Sequence, residues 1–432
     1  MMYTKNIPVS ERFDVIVCGA GVAGYCAAVQ AARAGAKTAL VEKYGMPGGI
    51  LTVGGNPEIG LFFRGDRQII SGIGWETVQR LAADGWAAIP EFSSRLEHSQ
   101  QNVSVNAPMM AALMDAICEE AGVTLLYHHT LCDALTQDGK ITGVVVSTKT
   151  GLQILEGSVF IDATGDGDLS AFAGAEFLLG ETPENPVLQP GTLRFYWSDV
   201  DNSIIQQKQV EEAFAYGLET GEVERADYWS LGGSPYTIFS ANGNNINHIA
   251  FNAADSRSRA QAEVKGRRSV ARLADWARHR VKGAEKGQPV ACGMEVAARE
   301  SRRVVGDHCI TVEEYVGAAA YDDGICYSYY PVDLHAMGDT TLFQIAVSEN
   351  AVPQIPLGAL LVKGLDNLMV AGRCASGDRL AHSAFRVKAS CMAMGQAVGA
   401  VAALAVSKNC SLRAVPLDET KALLVKNGAL VP

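Results

Sequence analysis

Three glycines at fixed spacing are the residues of this chain that point most directly to chemistry. Gly19, Gly21 and Gly24 follow the short apolar run Val15 to Val17, and Glu42 ends the next apolar run. A Gly-x-Gly-x-x-Gly turn between a strand and a helix brings backbone N–H groups and the positive end of the helix to a pyrophosphate. The acidic residue can accept hydrogen bonds from a ribose diol. The pattern therefore predicts a dinucleotide site, the alternative being a glycine-rich turn without a ligand.

Three further segments favour FAD over NAD as that dinucleotide. Pro47 to Thr52 carries two glycines just after the acidic residue, which lets the chain pass close to a flavin. Ile161 to Asp168 places a small polar turn at the carboxyl end of a strand. Val370 to Arg373 leads into a long helix whose positive end can face the N1/O2 edge of a flavin and stabilise its reduced anion. The alternative for that helix is a role in packing alone.

In these stretches the chain resembles the broad FAD-dependent oxidoreductase family, whose flavin domain folds like that of glutathione reductase and whose substrates are mostly unknown. The resemblance covers nearly the whole chain and is weakest between Pro186 and Gln288. It implies that Cys132 acts through its backbone near the adenine. The FAD-lining residues that the resemblance and the motifs imply are Gly19, Gly21, Val22, Ala23, Gly24, Glu42, Lys43, Gly48, Gly49, Thr52, Cys132, Ala163, Thr164, Gly165, Asp166, Gly372, Arg373, Lys388, Ala389 and Ser390.

Four residues are candidates for catalysis. In Arg379 to Arg386, where relatives often read Arg-Glu-Ala-Leu-Gly-Ser-x-Arg, this chain has a histidine and a phenylalanine, which indicates a different substrate. His382 has the side-chain chemistry for proton transfer, and Arg386 can hold an anionic group. His335 is a second candidate proton carrier. The resemblance places the cluster Arg299 to Arg303, which contains the candidate Arg302, near the cap and the active site. Structural roles stay open for each of them: a core or FAD-contacting histidine, a histidine paired with the neighbouring aspartate, or arginines in ion pairs.

Two charged segments are assigned to secondary structure. Arg299 to Arg303 is interpreted as strand, whose alternation sends Glu300 and Arg302 to one face and the other three residues to the opposite face. Arg257 to Lys286 is rich in Lys and Arg, and its pattern predicts an amphipathic helix with Val264 on the apolar side. A solvated face explains the charges of that helix, and docking of an acidic electron partner is the alternative.

The elements that must position these residues form an α/β fold. Hydrophobic periodicity predicts a βαβ unit at the amino end and a helix from Asp66 to Asp84. Leu152 to Glu156 closes a run of three short strands, and Val159 to Ala163 is interpreted as a separate buried strand. The long carboxy-terminal helix is predicted from Val387 to Val406.

We expect a Rossmann-like FAD-binding domain of the glutathione-reductase type, built from residues 1–185 and 354–432. An inserted α+β cap or substrate domain is expected over residues 186–353, where the pattern changes to mixed strands and helices. Pro183 and Pro186 mark the first boundary.

Composition narrows the class of protein. The chain has 432 residues, of which 48% are hydrophobic and 19% charged, as in soluble globular proteins, and its net charge of −11 argues against nucleic-acid binding. Met1 to Ser10 lacks a secretory signal, and the apolar run Met392 to Val406 is too short and is interrupted by Gln396, so no membrane span is expected. The ten cysteines form no Cys-x-x-Cys. We therefore expect no metal site, and a cytoplasmic protein with reduced thiols.

The leading hypothesis is an FAD-dependent dehydrogenase or oxidase. A small-molecule substrate, anionic if Arg386 binds it, would pass a hydride to flavin N5, and oxygen or a carrier protein would reoxidise the flavin. No second Gly-x-Gly-x-x-Gly follows Glu42, so a dedicated nicotinamide site is not expected. The alternatives are a flavin-dependent lyase or isomerase with no net redox change, and a non-catalytic electron-transfer subunit of a larger complex. A homo-oligomer is compatible with all three.

Overall fold

The structure of the chain, a computed structural model, describes residues 4–93, 98–181, 187–229, 233–240, 246–335, 342–348 and 351–432. Its strands are β1 (Val9–Cys18), β2 (Thr38–Glu42), β3 (Glu58–Ile59), β4 (Phe63–Arg64), β5 (Arg67–Gln68), β6 (Ala87–Ala88), β7 (Val103–Val105), β8 (Thr124–Tyr127), β9 (Thr130–Gln137), β10 (Lys140–Thr148), β11 (Gly151–Asp162), β12 (Phe177–Leu179), β13 (Phe195–Ser198), β14 (Gln288–Cys292), β15 (Arg302–Val304), β16 (Gly324–Tyr327), β17 (Val332–His335), β18 (Leu342–Ile345), β19 (Gln354–Pro356) and β20 (Leu368–Val370). Its helices are α1 (Val22–Arg33), α2 (Ile73–Ala83), α3 (Ala107–Ala121), α4 (Asp168–Phe172), α5 (Gln207–Thr220), α6 (Ser256–Arg280), α7 (Val312–Gly317), α8 (Arg379–Phe385), α9 (Lys388–Lys408) and α10 (Leu417–Lys426).

Within these ranges, seven strands form the main sheet in the order β8-β2-β1-β11-β10-β9, and β20 pairs with β11 as the seventh. Strands β8, β2, β1, β11 and β20 run parallel to their neighbours among themselves, while β9 and β10 continue antiparallel. The fold is thus mixed α/β and Rossmann-like, as predicted. Four of the parallel strands end at one edge of the sheet, at Cys18, Glu42, Asp162 and Val370.

Strand β11 differs from the prediction of two strands separated after Glu156. Its first half pairs with β10 and its last three residues with β20, while β1 pairs with it along both parts. Gly157, which lies between the two predicted strands, is opposite Phe13 in the continuous parallel ladder. A Cβ at Gly157 would approach the Ile16 side chain to 3.0 Å, so the glycine serves close packing and not a turn.

Helices α1 and α9 pack together at unusually short range. A Cβ at Gly395 would lie 2.0 Å from the Ala23 carbonyl oxygen, and one at Gly399 would lie 2.4 Å from that of Ala27. Helix α9 is long and apolar enough to cross a membrane, but 83% of its most apolar window is buried inside the protein. Its Gln396 is buried and accepts a hydrogen bond from the Ile73 N–H (2.9 Å), as expected for a core helix.

Two predictions about helices need correction. The helix predicted to begin at Asp66 begins only at Ile73. Gly65 takes a positive φ of 60° in the turn of the β4–β5 hairpin, so the residues just after it form a strand and not a helix. The basic helix is present as α6, but Val264 on its supposed apolar side is 43% exposed. The buried face of α6 instead runs through small residues such as Gly266 and on to Leu273.

The charged cluster from Arg299 to Arg303 also differs from the prediction of a strand with alternating faces. Only its end belongs to β15, so the period of two does not extend back to Glu300. The Glu300 carboxylate is buried and accepts hydrogen bonds from Arg303 (2.7 Å), Arg379 (3.1 Å) and the Gln189 N–H (3.0 Å). Glu300 and Arg303, predicted on opposite faces, are therefore bonded to each other.

The region after residue 186 contributes to more than one hydrophobic cluster. Side chains between Phe195 and Ala284 form a cluster of their own, in which Trp276 is almost fully buried. Side chains from Val304 onward pack into the main core with β1 and α9. The domain boundaries at 185/186 and 353/354 stay predictions, and Pro183 and Pro186 lie outside the described residues.

Candidate active site

A cleft with a cavity volume of about 310 Å³ opens at the edge where the parallel strands end. It brings together most of the residues that the sequence singled out. The predicted residues that line it are Gly19, Gly21, Val22, Ala23, Glu42, Lys43, Gly48, Gly49, Ala163, Thr164, Gly165, Asp166, His335, Gly372, Arg373, Arg386 and Lys388.

The glycine turn at the end of β1 has the shape that a pyrophosphate needs. Gly19 takes a positive φ of 96°, and a Cβ there would lie 2.5 Å from the Ala163 carbonyl oxygen. Gly24 lies behind the cleft, where its Cβ would be 1.8 Å from the Gly19 oxygen. At Gly21, in contrast, a Cβ would meet nothing within 4 Å and would project beside the cleft at the start of α1. Gly21 therefore leaves open space at the amino end of α1, as the predicted phosphate position requires.

Glu42, at the end of β2, lies beside this turn. Its two carboxylate oxygens accept hydrogen bonds from the Ala20 N–H (2.7 Å) and the Tyr44 N–H (2.9 Å). Burial raises the pKa of Glu42, and the two N–H groups oppose that shift. Each oxygen keeps a second lone pair, so the carboxylate can still accept from a ribose hydroxyl.

The second glycine segment crosses directly over the first. The Gly48 N–H donates to the Ala20 carbonyl (2.7 Å), and a Cβ at Gly49 would lie 3.1 Å from the Gly21 Cα. The two glycine segments are therefore in direct backbone contact, and residues of both line the cleft. Thr52 does not reach the cleft, and its hydroxyl donates to the Pro47 carbonyl (2.5 Å).

Asp166 joins three distant parts of the chain at the cleft. Its carboxylate accepts from Arg373 (2.8 Å) and from Arg259 of α6, and Arg259 also pairs with Glu295 (2.7 Å). Burial opposes ionisation of Asp166, but the charges of Arg373 and Arg259 lower its pKa overall. Glu295, which also lines the cleft, accepts from the Tyr44 hydroxyl (2.6 Å). Sequence reasoning missed Arg259 and Glu295, because their place beside Asp166 arises only in the tertiary fold.

Polar side chains gather where the end of α8 lies against β17. The Arg386 guanidinium lies 3.3 Å from the Gln189 amide oxygen and 3.9 Å from the Asp333 carboxylate, and His335 Nε2 lies 3.3 Å from the same carboxylate. Arg299 donates to the Pro190 carbonyl at 2.6 Å. Burial lowers the pKa of His335 to about 4, so its ring is neutral at neutral pH.

Lys388, the first residue of α9, lines the same part of the cleft. Its ammonium donates to the Glu58 carbonyl (2.6 Å). Burial lowers the pKa of Lys388 to about 7, and the Glu58 carboxylate opposes that shift. Lys388 is therefore a titratable cation at the amino end of the helix, beside the position expected for a flavin ring.

Two of the four catalytic candidates lie outside the cleft. His382 is fully buried, its Nε2 bonds the Arg373 carbonyl (2.6 Å), and burial lowers its pKa well below the ordinary value. Arg302 donates to the Asp166 carbonyl (2.9 Å) and to the Asp168 carboxylate (2.8 Å). Both contacts are those of structural residues, the alternative that the sequence had left open.

Three predicted cofactor residues also lie away from the cleft. Cys132 is exposed on β9. Ala389 and Ser390 are buried in the first turn of α9, where the Ala389 N–H donates to Gly60 and the Ser390 hydroxyl lies 2.8 Å from that of Ser328. Arg299 lines the cleft, in agreement with the resemblance that placed its cluster near the active site. Other residues that line the cleft had not been singled out for it: Tyr44, Asn56, Glu58, Asn102, Glu295, Tyr330 and Asp333. Asn56 and Glu58 directly follow the second glycine segment, which was the one available signal.

A protein-family model matches the chain over nearly its full length. The family model described as FAD dependent oxidoreductase matches residues 14–424. Curated relatives match shorter stretches: a dihydrolipoyl dehydrogenase of Trypanosoma brucei brucei is 48% identical over 48 residues, which are 11% of this chain and 10% of the relative. A thiamine thiazole synthase of Pyrococcus abyssi is 28% identical over 174 residues, 38% of this chain and 62% of the relative. The chain thus spans less than two thirds of the length of either relative.

Among solved structures, the chain is similar to a geranylgeranyl bacteriochlorophyll reductase-like protein from Thermoplasma acidophilum. The TM-score is 0.44 at 14% identity, with 96% of this chain and 84% of the other covered. The myxobacterial halogenase CndH, described as FAD-dependent, gives a TM-score of 0.46 at 14% identity, with 95% and 78% covered.

Proposed function

Because the chain belongs to the family of FAD-dependent oxidoreductases, we propose that it oxidises a small, anionic molecule at the cleft. The protein is an FAD-dependent enzyme, and bound FAD supplies the hydride acceptor, flavin N5. In this proposal oxygen or a carrier protein then takes up the electrons.

The observation that carries the proposal is that one cleft contains both a glycine turn suited to a dinucleotide and a group of polar side chains around Arg386 and His335. Gly21 and the first turn of α1 leave backbone N–H groups open to the phosphates, and Glu42 faces the ribose. At the other wall, α9 begins after the apolar residue Val387, so no side chain caps its first N–H groups. The positive end of α9 and Lys388 favour negative charge on the flavin edge that they face.

Two finer features belong to the same proposal. We assign the FAD-binding part to the glutathione-reductase type, which is supported by the antiparallel meander β9–β10–β11 beside the parallel strands. We assign residues 186–353 to a cap that covers the cleft. Its support is the separate hydrophobic cluster between Phe195 and Ala284, together with the pairing of Arg259 with Asp166.

Anaerobic mixing of the purified yellow protein with candidate substrates tests the proposal. Oxidation of a substrate is expected to bleach the flavin absorbance near 450 nm in a single turnover, roughly one flavin per substrate. Colour should return when air is admitted or an acceptor is added. Turnover without bleaching and without any acceptor would instead establish the lyase or isomerase chemistry. A folded protein that never binds FAD would refute both.

A further inference from the structure

Strand β14 is unusual because neither of its faces is covered. All five of its residues are exposed, Val290 at 59%, and Met294 just after the strand is 64% exposed. A strand of a globular protein normally buries at least one of its two faces. Within the described ranges β14 pairs only with β13, so its outer edge is open as well. This strand therefore presents apolar side chains and an unpaired edge to the outside of the protein.

Helix α6, which contacts β14, adds positive charge to the same side of the protein. The helix contains eight Arg or Lys and two acidic residues, whereas the whole chain has a net charge of −11. Its Arg257, Lys265 and Arg268 are exposed, and no carboxylate pairs with them in the part of the chain that the structure describes. Their charges are therefore available to a partner.

The two elements are joined into one surface. The Val296 N–H, beyond the end of β14, donates to the Glu263 carboxylate of α6 at 2.8 Å. Val264, the next residue of α6, is exposed, as are Val290 and Met294. Apolar residues surrounded by charged ones are typical of protein interfaces, in which Met and Arg are enriched. We call Arg257, Val264, Lys265, Arg268, Val290 and Met294 together the α6–β14 surface.

The α6–β14 surface lies on the outside of one wall of the cleft. The Met294 N–H donates to the Val53 carbonyl (2.8 Å), directly after the second glycine segment. Glu295, the next residue, lines the cleft and pairs with Arg259 of α6. A single stretch of backbone thus separates the exposed Met294 from the cleft proposed for FAD. A protein docked on this surface comes close to the cofactor.

The charges of the surface select the class of partner. Exposed cations attract an acidic protein and speed its encounter. A second copy of this chain that paired symmetrically through the same surface would bring two basic helices together, which is unfavourable. The proposed oxidation also requires an acceptor for the two electrons that FAD receives. An acidic carrier of electrons satisfies both the charge of the surface and this requirement.

We propose that the α6–β14 surface docks an acidic electron-carrier protein that reoxidises the FAD, which rests on the FAD-dependent oxidation proposed above. Two electrons leave the reduced FAD, one for each of two carrier molecules in succession, and the proton gained at flavin N5 is released to water. Each carrier is reduced by one electron. Transient complexes of this kind bury small interfaces, as the limited size of β14 and the adjoining part of α6 requires.

Electron transfer to a defined acidic probe tests the proposal without any substrate. The probe is the soluble domain of cytochrome b5, an acidic one-electron acceptor. The FAD-loaded protein is reduced by light under anaerobic conditions and mixed rapidly with the oxidised probe, and the haem absorbance gives the second-order rate constant. We expect this constant to fall steeply as the salt concentration rises, because salt screens the attraction. Calorimetry with both proteins oxidised measures binding without electron transfer.

Two matched double variants locate the attraction. Lys265→Glu with Arg268→Glu should lower the rate constant and the affinity for the probe about tenfold or more at low salt. Lys140→Glu with Lys149→Glu makes the same change of net charge at the two ends of β10, where both lysines are exposed, and should change them far less. Val290→Asp should also weaken binding, because it places a carboxylate in the apolar part of the surface.

Equal effects of the two double variants, or no effect of Lys265→Glu with Arg268→Glu, would overturn the proposal. So would a wild-type dimer, detected by light scattering, that the latter variant dissociates, because a second copy then covers the surface. Binding to phosphatidylserine vesicles that depends on Lys265 and Arg268, with no binding of the probe, would assign the surface to a membrane instead.

The two proposals fail separately. If a substrate bleaches the flavin but the charges of the α6–β14 surface do not affect the probe, the docking is wrong and the oxidation stands. If those charges control electron transfer to the probe but no compound bleaches the flavin, the oxidation is wrong and the docking surface stands.

Discussion

His335 and His382 are residues of the same type in different surroundings. His335 lines the cleft and its Nε2 lies 3.3 Å from the Asp333 carboxylate, whereas His382 lies in the core with Nε2 bonded to the Arg373 carbonyl. Within the described residues the Nδ1 atom of each ring is buried without a partner. Both were predicted as proton carriers, because local sequence pattern does not report which histidine lines the cleft. Their substitution therefore separates a chemical role from a structural one.

We predict that His382→Asn lowers the free energy of unfolding by about 1–3 kcal/mol, because a buried hydrogen bond is lost. The shape of the pH profile of substrate oxidation should not change, since His382 does not reach the cleft. His335→Asn tests the proton-carrier role predicted from the sequence, and by that role it should slow oxidation about 100-fold or more. Urea unfolding and steady-state kinetics measure the two effects, and a pH profile that changes shape in His382→Asn would contradict the assignment.

Lys388 gives a prediction about pH. Burial lowers its pKa to about 7, below its value of about 10.4 in an unfolded chain. Between these values the unfolded chain binds more protons than the folded one, so stability rises with pH. The free energy of unfolding of the wild type, relative to Lys388→Met, should therefore increase from pH 7 to about 10.4 and be constant below pH 7.

Urea midpoints of the two proteins across that pH range provide the measurement. Lys208→Met is the control, because the Lys208 side chain is 87% exposed and the variant should follow the wild type at every pH. Parallel curves for the wild type and Lys388→Met would show that Lys388 is not desolvated.

At the scale of secondary-structure elements, a substitution in the glycine turn between β1 and α1 can change FAD binding without changing the stability of the fold. Gly21 has φ −60° and ψ 175°, which alanine adopts without strain, and its Cβ would point into open space. We predict that Gly21→Ala folds with a free energy of unfolding within about 0.5 kcal/mol of the wild type when both are stripped of FAD. It should nevertheless bind FAD about tenfold or more weakly, because the methyl group occupies the phosphate position.

Absorbance per protein and unfolding curves check both parts of this prediction. Gly317→Ala is the matched control, since its Cβ also meets open space but lies outside the cleft, and it should keep its FAD. Gly24→Ala should lose stability as well as FAD, because its Cβ would collide with the Gly19 carbonyl. Normal FAD content in Gly21→Ala would contradict the position assigned to the phosphates.

The sequence is sufficient to predict those elements that local spacing and apolar pattern determine. The turn at Gly19, the acidic end of β2 and the long α9 follow from spacing and apolar pattern, and the cleft forms where they meet. The predicted start of α2 and the predicted break within β11 were wrong, because each depends on a turn or a neighbouring strand that the local pattern does not encode. Arg259 reaches Asp166, and Glu295 reaches the cleft, only through tertiary packing, so no spacing in the sequence marks them.

At the scale of the whole molecule, Glu300 holds several segments together. Its buried carboxylate joins β15, the start of α8 and the chain at Gln189. Breaking a buried ion pair on one side leaves uncompensated charge, whereas an exposed pair contributes little. This network is therefore expected to carry much of the attachment between the core and the residues after 186.

We predict that Glu300→Gln lowers the free energy of unfolding by about 3–5 kcal/mol, because Arg303 and Arg379 lose their shared buried carboxylate. Glu120→Gln is the matched control, because Glu120 pairs with Arg80 at an exposed site and should give little change. Urea unfolding compares the two variants. A Glu300→Gln protein as stable as Glu120→Gln would show that the network is not structural.

The shared carboxylate of Asp166 has a consequence for how the enzyme keeps its cofactor. One oxygen bonds Arg373 beside the cleft and the other bonds Arg259, near the start of the 25-residue helix α6. Because linkage between two binding equilibria is reciprocal, the factor by which bound FAD strengthens or weakens the anchorage of α6 is the same factor by which an anchored α6 changes the affinity for FAD. A substitution at Arg259, far from the glycine turn in sequence, is therefore expected to alter the dissociation constant of the coenzyme.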